Sequence, residues 1–182
     1  SWVYIDASAV NQAICLIGTP TTLTRGILIK YEDTDSISLR WDPANGPYGF
    51  DPTAPLTAAT WTRISITHSG SGVADLAVNK NGVEQGSATL DAIPATTSAD
   101  VIRFGAGGYS SWSDWDGRIG WSAWIQGVEL TATAADNYLN GTGGKTVCSL
   151  ITDYGPSGGI TANALKGLWS FQSGSPGSDL SG

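Results

Sequence analysis

The residues with the clearest chemical potential lie in the segment YSSWSDWDGRIGWSAWI, residues 109–125, which contains four tryptophans. Tyr109, Trp112 and Trp115 stand among glycine, serine and aspartate, a composition typical of a surface loop. An exposed indole ring can stack on a sugar ring while short polar neighbours meet the sugar hydroxyls. The same rings could instead seal the loop or anchor a partner, since aromatic side chains dominate interface hot spots. The pattern leaves both interpretations open.

A strand predicted over residues 117–126 separates the two later tryptophans by the alternation of its side chains. Trp121 shares a face with other apolar residues and is predicted to lie in the core. Trp124 faces the opposite way beside glycine and serine, so it is a candidate for ligand contact, and burial under a following helix is the alternative. The remaining tryptophans fall in strand patterns and are predicted to be core residues: Trp2, Trp41, Trp61 and Trp169.

The acidic residues lack the spacing that hydrolysis of a glycosidic bond requires. Two carboxylates about 5 Å apart are needed for the retaining mechanism, but each of the three glutamates is isolated in the sequence. Asp114 and Asp116 could share one strand face, yet they stand where a loop enters the predicted strand. The single histidine, His68, has no recognisable acid partner for a hydrolase triad. We therefore expect a protein that is not an enzyme.

The composition excludes several classes of partner. The net charge is −7, and the nine lysines and arginines are scattered singly, so no basic stripe can neutralise phosphates. No apolar run approaches the roughly 20 residues of a membrane-spanning helix. We therefore expect neither nucleic-acid binding nor membrane insertion. Cys15 and Cys148 are predicted to be reduced and at least partly buried, and without CxxC or HxxxH spacing they indicate no zinc site.

Short strand-like segments separated by turn residues predict the fold class. About nine such segments recur, including a hairpin whose Asn81-Gly82 turn supplies the positive φ that a tight connection needs. The stretch 42–55 is rich in proline and glycine and is predicted to be a long loop. Helices are predicted only over 130–141, where Thr131 caps the start, and over 145–155. The pattern predicts an all-β, two-sheet antiparallel sandwich of about 10 to 14 strands with one or two short helices.

Three sequence blocks resemble a known family. The block WTRISITHSGSGVADLAVNKNGVEQGSATL, from residue 61, has a strand opened by tryptophan and a hairpin turn of the form Asn-x-x-Gly, and VIRFGAGG follows from residue 101. The block WDGRIGWSAWIQGVELTATAADNYLNG, from residue 115, has an aromatic-x-Gly-x-Ile pattern and a Leu-Thr step into a short helix. The order and spacing of these blocks resemble those of laminin-G-like, concanavalin A-type lectin and glucanase jelly rolls.

The resemblance implies the domain organisation. Residues 1–144 are expected to form the laminin-G-like sandwich, and the family's first strand is expected to precede Ser1. Residues 145–182 are expected to form an extension with a short helix, a strand and a linker towards a further module. The basis for this expectation is that LKGLWSFQSGSPGSDLSG, from residue 165, resembles a segment common in such proteins.

Calcium is the one cofactor that the resemblance allows, because laminin-G-like domains often hold one ion at the rim of the sandwich. The residues themselves require no cofactor. Carboxylate oxygens are the hard ligands that calcium prefers, but acidic residues also cap turns through side-chain hydrogen bonds. The candidate ligands are Asp33, Asp35, Asp114 and Asp116.

The predicted function is that of a non-catalytic binding or structural module displayed on a surface. The resemblance to bacteriophage structural proteins indicates first a virion component, such as a head fibre, decoration or tail protein, with a glycan-binding or adhesion role. The alternative is a carbohydrate-binding module of a secreted or cell-surface bacterial protein. Glycans or other virion and surface proteins are the expected partners, at the virion surface or outside the cell, and a homo-oligomer stays open. The candidate ligand-binding residues are Tyr109, Trp112, Trp115 and Trp124.

Overall fold

The structure is a computed structural model whose described residues are 1–6, 11–18, 26–32, 36–41, 48–50, 53–68, 74–90, 101–105, 115–171 and 178–179. This part of the chain forms thirteen strands and two short helices. The helices are α1 (Ala132–Asn140) and α2 (Ser149–Tyr154). The strands are β1 (Trp2–Ile5), β2 (Gln12–Gly18), β3 (Gly26–Tyr31), β4 (Ile37–Trp41), β5 (Tyr48–Phe50), β6 (Trp61–His68), β7 (Ala74–Lys80), β8 (Val83–Leu90), β9 (Val101–Phe104), β10 (Gly117–Ile119), β11 (Ser122–Ile125), β12 (Leu165–Ser170) and β13 (Ser178–Asp179).

The strands are arranged in three antiparallel sheets. The first sheet has the order β10-β1-β6-β7-β8, and the second has the order β5-β4-β3-β2-β9. A small third sheet joins β11, β12 and β13. Each strand pair in the described residues is antiparallel. The predicted all-β antiparallel sandwich with few short helices is therefore confirmed.

The main core lies between the first and second sheets. Because side chains alternate along a strand, each sheet directs every second residue into this space. Val3 and Ile64 enter it from the first sheet, and Ile37 and Leu39 enter it from the second. The buried residues of the main core are Val3, Ile5, Ile14, Cys15, Ile17, Tyr31, Ile37, Leu39, Ala54, Leu56, Ile64, Val78 and Trp115.

Strand β2 is buried on both faces, which explains its unbroken apolar sequence. Ala13 and Leu16 form a separate buried cluster with Leu28 on the far side of the second sheet. A register shift between Ala13 and Cys15 lets both Ile14 and Cys15 contribute to the main core.

Both cysteines are free, but only one of them is buried. Burial raises the pKa of the Cys15 thiol to about 12, so this side chain stays protonated and packs as a small apolar group. The prediction of partial burial is wrong for Cys148, which is exposed at the start of α2. Its neighbours Val147 and Leu150 face the interior instead.

The strand predicted over 117–126 is divided between two sheets. Strand β10 pairs with β1 in the first sheet, whereas β11 pairs with β12 in the third. Because the chain changes sheets at Gly120 and Trp121, the alternation of side chains is reset there. Ile119 and Trp124 consequently pack against the main core, while Trp121 packs against a second core beneath the helices. The interior position predicted for Trp121 is confirmed, and Trp124, for which ligand contact and burial under a helix were both open, is partly buried against the main core.

The second core joins the helices to the third sheet. Tyr138 of α1, Leu150 and Tyr154 of α2, and Leu168 of β12 are its central side chains. Residues from both sides of position 144 therefore share one apolar interior. Helix α1 begins and ends as predicted, since Thr131 Oγ1 accepts a hydrogen bond from the Ala134 backbone N–H and Gly141 adopts φ 71°. Helix α2 lies inside the stretch predicted to be helical.

One strand occurs in the stretch 42–55 that was predicted to be a loop. Strand β5 pairs with β4, and Phe50 lies opposite Leu39 in the register. The prediction of an uninterrupted loop is wrong because a three-residue strand needs only an open sheet edge, here β4, to complete its hydrogen bonds.

A polar cluster fixes α1 relative to α2 beside the second core. The Tyr138 hydroxyl donates to Asp153 Oδ2 at 2.6 Å, and Lys145 Nζ donates to the same oxygen at 2.7 Å. The hydrogen bonds from Lys145 and then from Tyr138 lower the pKa of Asp153. Burial, followed by the hydrogen bond with Asp153, raises the pKa of Tyr138.

These two shifts predict that the stability of the domain falls at both ends of the pH range. The contribution of Asp153 is present above its unfolded-state pKa of about 4 and is lost as the pH falls through its lower folded-state pKa. The contribution of Tyr138 is present below its unfolded-state pKa of about 10 and is lost as the pH rises through its higher folded-state pKa. We expect Asp153→Asn to destabilise the domain by about 1–3 kcal/mol at neutral pH and to reduce the loss of stability in acid.

Urea unfolding followed between about pH 2 and pH 12 measures both effects, because the contribution of Tyr138 falls only above about pH 10. Asp6→Asn, which also removes one carboxylate but at an exposed position, is the control for the change in net charge. Stability curves of Asp153→Asn and the unchanged protein that stay parallel below about pH 4 would contradict the assignment.

Candidate functional site

Trp115 is a core residue, which decides between the two interpretations left open by the sequence in favour of a ring that packs inward. Its side chain is only 9% exposed, and its indole Nε1 donates to the backbone oxygen of Tyr4 at 3.2 Å. Its own backbone N–H donates to the oxygen of Gly105 at 2.9 Å. Gly117 makes this position available, because a Cβ there would overlap the Tyr4 carbonyl oxygen and lie 2.9 Å from the Trp115 Nε1.

Most of the other residues predicted to bind a ligand or a metal lie outside the described residues. Of the four aspartates, only Asp116 is described, and it is exposed, with its backbone N–H donating to Gln12 Oε1 at 3.1 Å. Within the described ranges no group of three or more histidine, cysteine, aspartate or glutamate residues is placed to hold a metal ion. The binding roles of the remaining residues stay predictions: Tyr109, Trp112, Asp33, Asp35 and Asp114.

A cleft of about 340 Å³ opens where β9 and β10, the edge strands of the two large sheets, lie on the same side of the sandwich. Phe104 and Phe171, whose ring centroids are 5.1 Å apart, line it together with Trp115 and Arg118. Gly105, which also lines the cleft, and Trp115 flank the segment that contains Tyr109 and Trp112. The two described residues that flank that segment therefore both line this cleft.

The outer face of the first sheet presents three aromatic rings on neighbouring strands. Trp2 lies opposite Arg63 in the pairing of β1 with β6, and Tyr4 lies opposite Trp61. In the pairing of β1 with β10, Tyr4 lies opposite Arg118. Directly opposed residues share a face, so all five side chains project away from the main core. We call Trp2, Tyr4, Trp61, Arg63 and Arg118 the aromatic surface.

Trp61 is the exposed centre of the aromatic surface. The side chain is 38% exposed, which is unusual for so large an apolar group. Its ring centroid lies 6.1 Å from that of Trp2 and 5.4 Å from that of Tyr4. The ring crosses β1 to reach Gly120, since a Cβ on Gly120 would be 3.5 Å from Trp61 Cζ3. The same Cβ would lie 3.1 Å from the Trp2 Cβ, so the lack of a side chain at Gly120 leaves space for Trp2 beside the Trp61 ring.

Helix α1 fixes one end of the aromatic surface. The Trp2 indole Nε1 donates to the backbone oxygen of Leu139 at 2.8 Å. Arg63 makes a two-point ion pair with Asp136, with distances of 2.6 Å from Nε to Oδ1 and 3.3 Å from Nη2 to Oδ2. The Arg63 guanidinium also lies 5.6 Å from the centre of the Trp2 ring. Both side chains are thus held in one position before any ligand arrives.

Arg118 marks the opposite end of the aromatic surface. Its guanidinium carbon lies 4.9 Å from the centre of the Tyr4 ring, and the side chain is exposed. No carboxylate of the described residues forms a salt bridge with it. The Tyr4 ring therefore positions the guanidinium, whose N–H groups are available to donate hydrogen bonds to a ligand.

The sequence predicts that Trp2 and Trp61 lie in the core, and this is wrong for both, since Trp61 is exposed and Trp2 is half-buried on the outer face beside α1. The side chain of Trp41 is outside the described residues, and Trp169 is half-buried against Phe104, with ring centroids 5.2 Å apart. A signal for the outward position of Trp61 is present in the sequence, because alternation along Trp-Thr-Arg puts Trp61 on the same face as the charged Arg63.

Fold and site together define a jelly-roll β-sandwich of the lectin type. The chain belongs to the concanavalin A-like lectin/glucanases superfamily, whose family model matches residues 1–134. No curated protein sequence matches the chain significantly.

Solved structures with the same fold include carbohydrate-binding proteins. A Bacteroides ovatus protein assigned as carbohydrate-binding is 14% identical, with a TM-score of 0.70, and the match covers 100% of this chain and 48% of that one. The CBM40 of the Ruminococcus gnavus IT-sialidase, bound to α2,3-sialyllactose, is 12% identical, with a TM-score of 0.54 and coverages of 65% and 68%. The heptameric SAP-like pentraxin of Limulus polyphemus is 14% identical, with a TM-score of 0.54 and coverages of 75% and 65%. At these identities the likeness shows the fold alone, and this chain spans about half the length of the Bacteroides protein.

Gly117→Ala should strongly destabilise the domain. The added Cβ would overlap the Tyr4 carbonyl oxygen and press on the Trp115 indole, so we expect a loss of about 3 kcal/mol or more. Gly127→Ala is the matched control, since Gly127 has φ 81° and no atom within 4 Å of the new Cβ. That variant should lose only the about 1–2 kcal/mol of a left-handed alanine. Equal melting temperatures for the two variants would contradict the packing described.

Trp115→Ala should be far more damaging to stability than Trp61→Ala. Removing the buried ring leaves a cavity in the main core, with an expected cost of about 3–5 kcal/mol. Removing the exposed ring of Trp61 should cost about 1 kcal/mol or less. Urea unfolding of both variants measures the difference, and similar losses in the two would show that the burial of these rings has been assigned wrongly.

Proposed function

We propose that the chain is a non-catalytic carbohydrate-binding module of a secreted or cell-surface protein and that it binds glycans on the aromatic surface. The observation that carries this proposal is the exposed ring of Trp61, set between Trp2 and Tyr4 on the outer face of the first sheet. The shared fold with carbohydrate-binding proteins supports it.

The chemistry of the aromatic surface suits a sugar. The apolar C–H face of a pyranose can stack on an indole, and the ring of Trp61 offers such a face to solvent. Arg118 supplies N–H donors for hydroxyl groups at the edge of the stacked ring. The exposed Trp61 ring and the half-buried Trp2 and Tyr4 rings beside it form a continuous aromatic patch, which is a feature of interaction sites.

The described carboxylates support binding without catalysis. Glu32 is paired with Lys30, and Glu84 and Glu129 are exposed on other elements. Asp6 and Asp116 lie opposite each other where the pairing of β1 with β10 ends, but both are exposed. A glycosidase acid lies in an apolar pocket, whereas both of these aspartates lie at the surface.

The secreted or cell-surface alternative is supported better than a bacteriophage virion component. The similar structures are carbohydrate-binding proteins and a pentraxin, and none of them is described as a virion protein. Among the described residues, no helix has the length and apolar character needed to cross a membrane. Glycans are the proposed partners, and a homo-oligomer stays a prediction.

Calcium also stays a prediction for this chain. Asp116 is the one described candidate ligand, and its exposed carboxylate is free to bind a cation. One carboxylate alone does not make a calcium site, which takes six to eight oxygen ligands. The proposed glycan contacts on the aromatic surface do not require the ion.

Trp61→Ala should abolish or strongly weaken glycan binding while the domain stays folded. Loss of a central aromatic contact typically costs at least about 1 kcal/mol, which is roughly a fivefold loss of affinity. A glycan array, followed by calorimetry with the soluble oligosaccharide that gives the strongest signal, measures the effect. Ile160→Ala removes another exposed apolar side chain, away from the aromatic surface, and should bind normally. If Trp61→Ala binds every glycan as well as the unchanged protein does, the aromatic surface is not the site.

A further inference from the structure

Building on the proposed function, we infer that the aromatic surface accepts a single soluble glycan chain or chain end and excludes the flat face of a crystalline polysaccharide. A crystalline face presents many parallel sugar rings in one plane. Binding to such a face therefore requires aromatic rings that are coplanar and unobstructed. The structure meets neither requirement.

The three rings of the aromatic surface are not coplanar. The Trp61 ring is tilted by 60° from the Trp2 ring and by 57° from the Tyr4 ring. A flat ligand stacked on the Trp61 ring would therefore meet the edges, and not the faces, of the Trp2 and Tyr4 rings. One sugar ring can stack on Trp61 while the neighbouring rings contact its sides, but a rigid flat lattice cannot stack on all three.

The tilts are fixed by contacts on both sides. The hydrogen bond from Trp2 to the Leu139 backbone oxygen and the stacked Arg63 guanidinium hold the Trp2 ring. Arg63 is itself held by its two-point ion pair with Asp136. At the other end, the Arg118 guanidinium lies over the Tyr4 ring. Flattening the surface would require these contacts to break.

Helix α1 also obstructs a flat ligand directly. Asp136 and Leu139 of α1 contact the outward side chains of Arg63 and Trp2, so the helix lies over the outer face of the first sheet. It packs against β6 and β8. Since an α-helix with its side chains is about 10 Å across, α1 projects from the outer face beside Trp2 and Arg63 and would keep a planar lattice from lying flat on the aromatic surface.

Among the described residues, the side of the aromatic surface that α1 leaves uncovered is therefore the side of Tyr4 and Arg118. A chain end entering there can place one sugar on Trp61 with α1 as a stop behind it. The Arg118 guanidinium then lies beside the part of the glycan that leads away from α1. This arrangement predicts that affinity depends on the terminal sugar and its nearest neighbour and not on the length of the chain.

The test compares crystalline polysaccharides with soluble oligosaccharides of the same sugars. Retention on microcrystalline cellulose and on crystalline chitin is measured for the unchanged protein, for Trp61→Ala and for the control Ile160→Ala. Cellohexaose, chitohexaose and the glycan array provide the soluble ligands for the same three proteins. We expect Trp61→Ala to lose at least about fivefold in affinity for a soluble glycan. On the crystalline solids we expect the same background retention for all three proteins, because the Trp61 ring does not contact a flat face.

Two results would overturn the inference, and only the second of them would also refute the proposed function. Retention on crystalline cellulose or chitin that depends on Trp61 would refute the exclusion of flat ligands while leaving carbohydrate binding at this surface intact. If no ligand, soluble or crystalline, shows binding that depends on Trp61, the proposed function fails and the inference fails with it.

Discussion

The hydrogen bond from the Trp115 indole to the Tyr4 carbonyl is the contact on which the functional face depends. It joins residues that are 111 positions apart in the sequence, and it exists because Gly117 leaves room for the indole beside the β1 backbone. The bond holds the start of β10 against β1, so that Arg118 lies opposite Tyr4. On the other side of β1, the pairing with β6 places Trp61 opposite Tyr4. The buried Trp115 ring thereby helps to position Tyr4, Trp61 and Arg118 on the outer face of the first sheet.

Helix α1 connects the second core to the outer face of the first sheet. Its position is set from below by the second core and from the side by the shared contacts of Tyr138 and Lys145 with Asp153. Through Leu139 and Asp136 it then fixes Trp2 and Arg63. The sandwich supplies the strands of the aromatic surface, and the helical segment determines its shape and its closed end. The selectivity inferred for soluble glycans follows from this combination, since the sheet alone would leave the outer face open.

Local patterns in the sequence predicted the local structure well. The Asn81-Gly82 turn has the positive φ values expected of a tight hairpin, and α1 has the expected caps. What the sequence could not reveal depends on partners far along the chain. The exchange of sheets at Gly120 requires β1 on one side and β12 on the other. Trp115 packs inward and donates its indole N–H to Tyr4, 111 positions away, so the loop-like composition of its neighbours left its position open. Trp61 is a different case, because the sequence carries the signal: Trp61 shares a face of β6 with the charged Arg63, whereas Ile64 and Ile66 share the covered face.

The most direct test of glycan binding at the aromatic surface is a ¹H–¹⁵N spectrum of the tryptophan indole groups during titration with the soluble oligosaccharide that binds best on the array. The chain has eight tryptophans, and single Trp→Phe substitutions assign their signals. The structure predicts that the Trp61 indole signal shifts as the ligand is added while the Trp115 signal, buried in the main core, does not. A titration in which the Trp112 signal shifts and the Trp61 signal stays unchanged would place the ligand elsewhere and contradict the account.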